Sequence, residues 1–307
     1  MNDDVCILVP VWKDYQWLAP LTLELIEKHW PAHPPLFLAG LSAEEAFPAP
    51  HFPVSDITRR ENWCWMVRDS VRQARSRYRR AYLIAEEHAP LARCHEWHLC
   101  RTIPDAMDDW NAVYISLMGW DNRRYASRNP ILGPDRHRVM HLTRERAPRF
   151  HLHPALWRLD VLEHCCDISL ANESRNGSAW HFEKTCEKFD AALPAEWKMG
   201  CYQVAAHTLS SSDPSAFRTC LSLSERWVFN RLMAVLPWIP RKAWADFYAR
   251  AIAMDDVFCH GPYPMIFSGI LQKGSLNRYL ARHFQGTPDG RDLLARIANL
   301  HSSPRKA

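Results

Sequence analysis

Hydrophobic residues in the first half of the chain occur in short uninterrupted runs, a pattern that predicts strands buried on both faces. The runs cover residues 5–11, 36–39, 81–85 and 112–117. Between them the apolar positions follow helical spacing, as over residues 62–77, where Trp63, Val67 and Val71 share one face. Strands that alternate with helices in this way predict an α/β fold.

The second half of the chain predicts a different organisation. Residues 119–146 are polar, basic and turn-rich, so we expect a long loop or flap there. An extended segment over 150–154 should lead into a helix over 155–166, and Ser178 is placed to cap another helix. Helical spacing dominates after Asp213. We therefore expect a sheet domain over 1–212, a helical C-terminal region packed on it over 213–301, and a disordered tail over 302–307.

The apolar run over 81–85 ends in two adjacent carboxylates, Glu86 and Glu87, and Pro90 prevents the strand from continuing. In open α/β sheets, ligands bind in the crevice beyond the carboxyl ends of the strands. Two acids at such a strand end suit a divalent cation and, through it, a diphosphate. The same pattern is equally typical of a solvated acidic turn after an ordinary core strand. This stretch alone does not decide between the two interpretations.

Composition narrows the class of protein. The chain has 307 residues, 47% hydrophobic and 23% charged, which is typical of a globular protein with a substantial core. A net charge of +4 is too small to predict nucleic acid as the main partner. The ten cysteines are irregularly spaced, the run over 5–11 is too short for a signal peptide, and no apolar stretch is long enough to span a bilayer. We therefore expect a cytoplasmic protein with free thiols.

Several well-defined site motifs are absent from the sequence. The chain has no glycine before Gly40, so the loop after the first strand carries neither a Walker loop nor a G-x-G-x-x-G fingerprint. It also has no G-x-S-x-G sequence. These absences disfavour P-loop kinases, ordinary dinucleotide enzymes and serine hydrolases of that type.

Two further groups are candidates for chemistry. His151 and His153 stand two apart on an extended segment, so they share a face and suit half of a metal or acid/base site, or a structural pair. Glu183 follows Trp180 and Phe182 at a predicted helix start. A carboxylate held beside aromatic rings has its pKa raised towards the range of a general base. The alternative is a glutamate that stabilises the helix N-terminus.

Three stretches, taken in order, resemble a bacterial family of GT-A-like glycosyltransferases, which use nucleotide sugars as donors. The first is the helix that begins at Trp63, followed by the apolar run that ends in Glu86 and Glu87. The second is Leu-His-Pro-Ala-Leu-Trp-Arg at 152–158, similar to an extended segment, a proline and a helix with a Trp-Arg pair. The third is Asn-Gly-Ser-Ala-Trp-His-Phe-Glu at 176–183, similar to an Asn-Pro-Trp-x-Phe-Glu signature. The resemblance spans residues 5 to about 190.

The resemblance implies a Rossmann-like GT-A mixed sheet flanked by helices, with a helical C-terminal extension. It also implies roles for individual residues. The candidate nucleotide-binding residues are Pro10, Val11, Trp12, Asp56 and Arg68. Glu86 and Glu87 would hold a divalent cation, Mn²⁺ or Mg²⁺, and the donor diphosphate. Glu183 would be the general base, and the candidate substrate-binding residues are Trp180, His153 and Trp157.

Two departures from the family pattern affect these implications. The family usually has Asp-Asp or Glu-Asp where this chain has Glu86 and Glu87, and the longer side chains change the geometry available to a metal. Asn176-Gly177 replaces the proline form of the third motif.

The function expected from the resemblance is transfer of a sugar from a nucleotide sugar to a glycan, a lipid-linked acceptor or another glycoconjugate, in surface polysaccharide assembly. A cytoplasmic location, with peripheral association at the inner face of the membrane, would fit a lipid-linked acceptor. The alternative function is a non-catalytic protein that binds a nucleotide or glycan, or acts as an assembly partner, on a degenerate GT-A fold. Glu86, Glu87 and His88 are the residues that discriminate between the two.

Overall fold

The fold was analysed in a computed structural model of the chain. The structure describes residues 4–45, 47, 49–59, 61–117, 131–132, 138–141, 150–172, 177–198, 200–205, 258–259, 262–266, 269–272, 275–276 and 288–302.

A mixed nine-stranded sheet forms the centre of the molecule. Its strands are β1 Val5–Pro10, β2 Leu36–Ala39, β3 His51–Phe52, β4 Arg80–Leu83, β5 Tyr114–Ser116, β6 Ile131–Leu132, β7 Arg138–His141, β8 Ala155–Arg158 and β9 Cys201–Ala205. They lie in the order β3-β2-β1-β4-β8-β5-β9-β7-β6. Strands β3, β2, β1 and β4 are parallel, and β8 is antiparallel to both of its neighbours. This arrangement is compatible with a Rossmann-like α/β fold.

Eight α-helices accompany the strands in the part of the chain that the structure describes. They are α1 Ala19–His29, α2 Trp63–Ala74, α3 Ile103–Asp109, α4 Leu159–Ala171, α5 Ala179–Lys184, α6 Cys186–Ala192, α7 Ala195–Lys198 and α8 Pro288–Ser302. Short 3₁₀ helices cover Lys13–Leu18 and Ile57–Arg59, and a π-helical turn at His98–Thr102 leads into α3. None of the helices in the described residues is long and apolar enough to cross a membrane.

Hydrophobic cores cover both faces of the sheet, which explains the uninterrupted apolar runs. Along β1 the side chains alternate, so that Leu8 packs with α2 and α4 on one face while Ile7 packs with α1 and α3 on the other. The predicted apolar face of α2, Trp63, Val67 and Val71, lies in the first of these cores. The α/β class predicted from the sequence is therefore confirmed.

The arginine-rich side of α2 forms ion pairs with the neighbouring helix α4. Arg68 Nη1 donates to Asp167 Oδ1 at 2.9 Å, and Arg72 Nε donates to Glu163 Oε1 at 2.6 Å. Arg75 also pairs with Glu163. These arginines therefore connect α2 to α4, and the Arg68 guanidinium is already paired with Asp167 of α4.

Two local predictions in the second half were wrong. Residues 155–158 form strand β8, and the helix begins only at Leu159, so Trp157 lies on a strand. Within the loop predicted over 119–146, the described residues form β6 and β7. The helix predicted after Ser178 is confirmed, because the Ser178 hydroxyl accepts the backbone N–H of His181 at 3.1 Å.

The described part of the C-terminal region is not helical throughout. Phe258–Cys259 (β10) pairs with Met265–Ile266 (β11), and Leu271–Gln272 (β12) pairs with Ser275–Leu276 (β13). Helix α8 confirms the last predicted helix, and its Ile297 packs against the buried leucines of α1. The boundary after residue 212, the two helices predicted over 216–236 and 240–254, and all but the first residue of the tail lie outside the described residues.

Candidate functional site

The carboxyl ends of β1 and β4 meet at the point where the strand order reverses, the usual ligand-binding position of such sheets. The chain continues from β1 into Trp12 and from β4 into Glu86. The backbone N–H of Trp12 donates to Glu86 Oε1 at 3.1 Å, and the Thr22 hydroxyl donates to the Glu86 carbonyl. Glu86 therefore ties together the two loops at this edge of the sheet.

Burial changes the acid strength of both strand-end glutamates. Only 3% of Glu86 is exposed, and its burial raises its pKa from the ordinary 4.5 to about 8. Burial and the nearby negative charge of Glu183 raise the pKa of Glu87 to about 7. At neutral pH the Glu86 carboxyl is mainly protonated, and its contact with the Trp12 amide is an uncharged hydrogen bond.

Replacement of Glu86 by glutamine is expected to flatten the pH dependence of stability above pH 6.5. Between pH 4.5 and about 8 folded Glu86 holds a proton that the unfolded chain has lost, so the free energy of unfolding falls as the pH rises through this window. The glutamine side chain keeps an oxygen for the Trp12 N–H but does not titrate. Urea unfolding of both proteins at pH 6.5, 7.5 and 8.5 measures the effect.

The range above pH 6.5 isolates the glutamates, because the buried histidine beside them contributes in the opposite direction at lower pH. Burial lowers the pKa of His88 to about 4, so the stability that depends on neutral His88 is lost as the pH falls below 6.5. Glu87 contributes to the same decrease as Glu86 up to about pH 7. Parallel stability curves for E86Q and the unmodified protein would contradict the assignment.

Glu183 reaches this edge of the sheet from helix α5. Its Oε1 accepts the backbone N–H of Leu152 at 3.0 Å, in the segment that precedes β8. Burial raises its pKa, and the Leu152 hydrogen bond opposes that rise. The result is a fixed, half-buried carboxylate whose base strength exceeds that of an ordinary glutamate.

Aromatic contacts fix the helix that carries Glu183. Phe182 packs edge-on against Trp63 of α2 at 5.6 Å between ring centroids, and against Trp157 of β8 at 6.3 Å. The backbone N–H of Cys64 also donates to the Gly177 carbonyl at 3.3 Å. The three stretches of the family resemblance, far apart in sequence, therefore contact one another.

Three histidines cluster beside the strand-end glutamates, on the segments that follow Glu87 and flank Leu152. The rings of His88 and His153 are 5.1 Å apart, and those of His151 and His153 are 6.1 Å apart. Burial lowers the pKa of all three, and for His153 the other two histidines lower it further. Because neutral histidines provide both N–H donors and ring-nitrogen acceptors, the cluster is able to orient a hydroxyl or phosphate oxygen without carrying charge.

A C-terminal segment closes over the strand-end acids. Ile270 N–H donates to the Glu87 carbonyl at 2.7 Å, and Leu91 N–H donates to the Pro264 carbonyl at 2.9 Å. Gly269 has φ +78°, and a Cβ there would come within 3.1 Å of the Glu87 carbonyl oxygen and 3.4 Å of His88 Nε2. A side chain at this position would be strained and would crowd Glu87, and the hydrogen bond from Ile270 makes the C-terminal region part of the site.

The structure places some predicted site residues at this edge and others elsewhere. Trp12, Glu86, Glu87, His153 and Glu183 belong to it. Pro10, the last residue of β1, and Val11 after it are buried in the core.

The remaining predicted residues have other environments. Asp56 accepts the hydroxyl and backbone N–H of Thr58, which lower its pKa, and so caps a local turn. Arg68 pairs with Asp167 as described above. Trp157 is fully buried between Phe150 and Tyr114, so its predicted contact with substrate is wrong.

Trp180 has a different environment from Trp157. It is 67% exposed, and the Lys184 ammonium lies 3.6 Å from its ring centroid. A sugar could stack on this ring only from the side that Lys184 leaves open.

The donor atoms at the strand end do not fit a resident divalent cation as they are arranged. Glu86 is buried, and its Oε1 accepts the backbone N–H of Trp12. Within the described residues no group of three or more His, Cys, Asp or Glu side chains is placed to hold a metal ion. The metal role predicted for Glu86 and Glu87 therefore has no support in this geometry.

Sequence reasoning missed two features of the site. The contact of His88 with His153 joins residues 65 positions apart, and only the antiparallel pairing of β4 with β8 brings their segments together. The contact of Gly269 with Glu87 could not be predicted either, because a single glycine before two apolar residues is typical of many turns. The adjacent Glu-Glu-His sequence was the available clue to the first feature.

Comparison with known proteins adds no assignment. The chain matches no protein-family model, and no curated protein shows significant similarity to it.

Proposed function

We propose that this protein is a glycosyltransferase that moves a sugar from a nucleotide-sugar donor to a hydroxyl of a glycan, lipid-linked or other glycoconjugate acceptor. One observation carries the proposal. A half-buried glutamate of raised pKa, Glu183, is fixed beside Glu87 and a neutral histidine cluster at the strand ends where α/β sheets bind nucleotides. Perturbed carboxylates gathered at such an edge are typical of acid/base sites.

The proposed reaction is a direct displacement at the anomeric carbon. Glu183 accepts the proton of the acceptor hydroxyl, whose oxygen forms the new bond to that carbon. The bond from the carbon to the diphosphate oxygen breaks, and its electron pair leaves with the nucleoside diphosphate. Such a displacement inverts the anomeric centre. The raised pKa of Glu183 makes it a stronger base than an exposed glutamate.

The leaving diphosphate needs donors that stabilise its growing negative charge. The buried His88 ring, whose Nδ1 has no hydrogen-bond partner among the described residues, supplies such a donor on one side. Lys13, which follows Trp12 and is exposed in an ion pair with Glu61, supplies a cation beside the β1 loop. A requirement for Mn²⁺ or Mg²⁺ stays a prediction of the family resemblance, against which the buried Glu86 argues.

The proposed enzyme acts in the cytoplasm, where nucleotide sugars are made. With a lipid-linked acceptor it would work at the inner face of the membrane, in surface polysaccharide assembly.

A thermal-shift panel of UDP, GDP, CMP and their sugar conjugates, with and without Mn²⁺, tests the proposal. A ligand that binds the native state raises its apparent stability by mass action. We expect one nucleotide family to raise the melting temperature and its sugar conjugate to be consumed slowly when an acceptor is added. No shift with any nucleotide would refute the proposal, and a shift that needs Mn²⁺ would restore the metal role of Glu87.

The alternative function, a non-catalytic nucleotide- or glycan-binding protein, is favoured by the environment of Glu86. A glutamate that holds two loops together through a backbone amide is performing a structural task. For this alternative we expect nucleotide binding without turnover of any sugar conjugate in the same panel.

A further inference from the structure

A cavity of about 440 Å³ lies at the opposite end of the sheet from the candidate functional site. It is bounded by the end of α2, the start of β4, the end of β8 and the turn after α3. Arg80, the first residue of β4, stands in register with Arg158, the last residue of β8, and both line it. Glu86 follows the other end of β4, so the two sites are separate.

Three arginines of this cavity form ion pairs: Arg75 with Glu163, as described above, and also Arg80 and Arg158. Arg80 is buried, with Nη2 bonded to both carboxylate oxygens of Asp4 at 2.8 Å and Nη1 bonded to Asp108 at 3.0 Å. Arg158 forms a bidentate ion pair with Asp160, and its guanidinium lies over the ring of Trp197. These contacts hold both guanidiniums rigidly at the cavity wall. The buried Nε of Arg80 has no hydrogen-bond partner among the described residues.

Three other side chains that line the cavity also carry hydrogen-bond donors. In the part of the chain that the structure describes, the Arg79 guanidinium, the Tyr78 hydroxyl and the Asn111 amide have no hydrogen-bond or ion-pair partner. Burial raises the pKa of Tyr78, which keeps the hydroxyl protonated as a donor. Asn111 adopts the left-handed conformation, φ 48°, directly after α3. The free groups of the cavity are therefore predominantly donors.

We infer that this cavity binds a compact oxyanion, a phosphate or polycarboxylate group carried by a small metabolite. Four arginines line it, and three of them are already paired with acidic side chains. Among the described residues, Arg79 is the lining arginine that has no acidic partner and so remains available to an anion. The planar guanidinium of Arg79 suits oxygens held in pairs. Met107 and Ala112 add an apolar wall for a small organic body, and the volume lies in the range of small-molecule sites.

Isothermal titration with pyrophosphate, inorganic phosphate and citrate, each at constant ionic strength, tests the inference. We expect saturable binding of at least one of these anions, and the comparison of pyrophosphate with citrate distinguishes phosphate from polycarboxylate recognition. Arg79→Ala should weaken that binding at least tenfold and Tyr78→Phe about threefold. Arg77→Ala is the matched control, because Arg77 is an exposed arginine two positions away that does not line the cavity.

The outcomes separate this inference from the proposed function. Glu183→Gln should leave anion binding unchanged, since Glu183 lies at the other end of the sheet. Absence of saturable binding by all three anions would overturn the inference. Equal losses in Arg77→Ala and Arg79→Ala would also overturn it, because they would reflect the overall charge of the protein and not a site.

Discussion

Glu183→Gln is expected to lower the rate of sugar transfer about 10²–10⁴-fold, the usual contribution of a positioned general base. Glutamine has nearly the same shape and keeps an oxygen that accepts the Leu152 N–H, so the side chain should stay in place. It cannot take up the proton of the acceptor hydroxyl. The measurement is kcat with saturating donor and acceptor, together with the Kd of the nucleoside diphosphate, which should change by less than about twofold because a general base acts on the acceptor.

One control variant and one further measurement test whether the effect is specific to Glu183. Glu196→Gln removes an exposed carboxylate of α7 and should leave the rate unchanged. In Glu183→Gln the loss of a neighbouring negative charge should also lower the pKa of Glu87 from about 7. A fully active E183Q enzyme would remove Glu183 from the mechanism. Loss of nucleotide affinity in step with the rate would instead indicate damage to the site as a whole.

The sequence was sufficient for the strands that are buried on both faces. Ile7 and Leu8 are adjacent and point to opposite faces of the sheet, yet both are buried in hydrophobic cores because helices cover each face. That environment leaves a signature, a short continuous apolar run, which a strand with one face in water does not share. The class of fold and the position of the strand-end acids followed from it.

Local patterns failed where one element runs directly into another. Ala155 of β8 and Leu159 and Leu162 of α4 follow one helical spacing, so the whole stretch, including Trp157, was assigned to the helix. The actual boundary falls at Arg158, whose guanidinium binds Asp160 in the first turn of α4. Such a boundary depends on the pairing of β8 with β4 and β5, which is a property of the tertiary structure.

The chemistry of the site depended even more on the tertiary structure. Sequence identified Glu86 as an acid at a strand end, and a solvent-exposed acid there would be a metal ligand or a polar turn. Its pKa of about 8 arises because the fold buries it, and the hydrogen bond from the Trp12 amide only partly offsets this rise. The contact of Gly269 with Glu87 joins residues 182 positions apart, and no local pattern encodes it.

Trp157→Ala is expected to lower the free energy of unfolding by about 3–5 kcal/mol, the cost of removing a large buried aromatic side chain. The ring is fully buried and stacks on Phe150 at 5.0 Å, with Tyr114 edge-on at 4.6 Å. Trp157→Phe should cost much less, because phenylalanine retains the ring packing and removes an indole N–H that has no hydrogen-bond partner among the described residues. Urea unfolding measures all of these differences.

Trp180→Ala is the matched control for this experiment, since Trp180 is 67% exposed and its loss should change stability by less than about 0.5 kcal/mol. Comparison of the Trp157 and Trp180 variants distinguishes a structural role from substrate binding, the role that the sequence predicted for both residues. If Trp157 contacted substrate, its replacement by phenylalanine would weaken ligand binding and spare stability. We expect the reverse: W157F should bind nucleotide as the unmodified protein does, while W157A loses stability because the contacts that hold Phe182, and with it Glu183, pass through this ring.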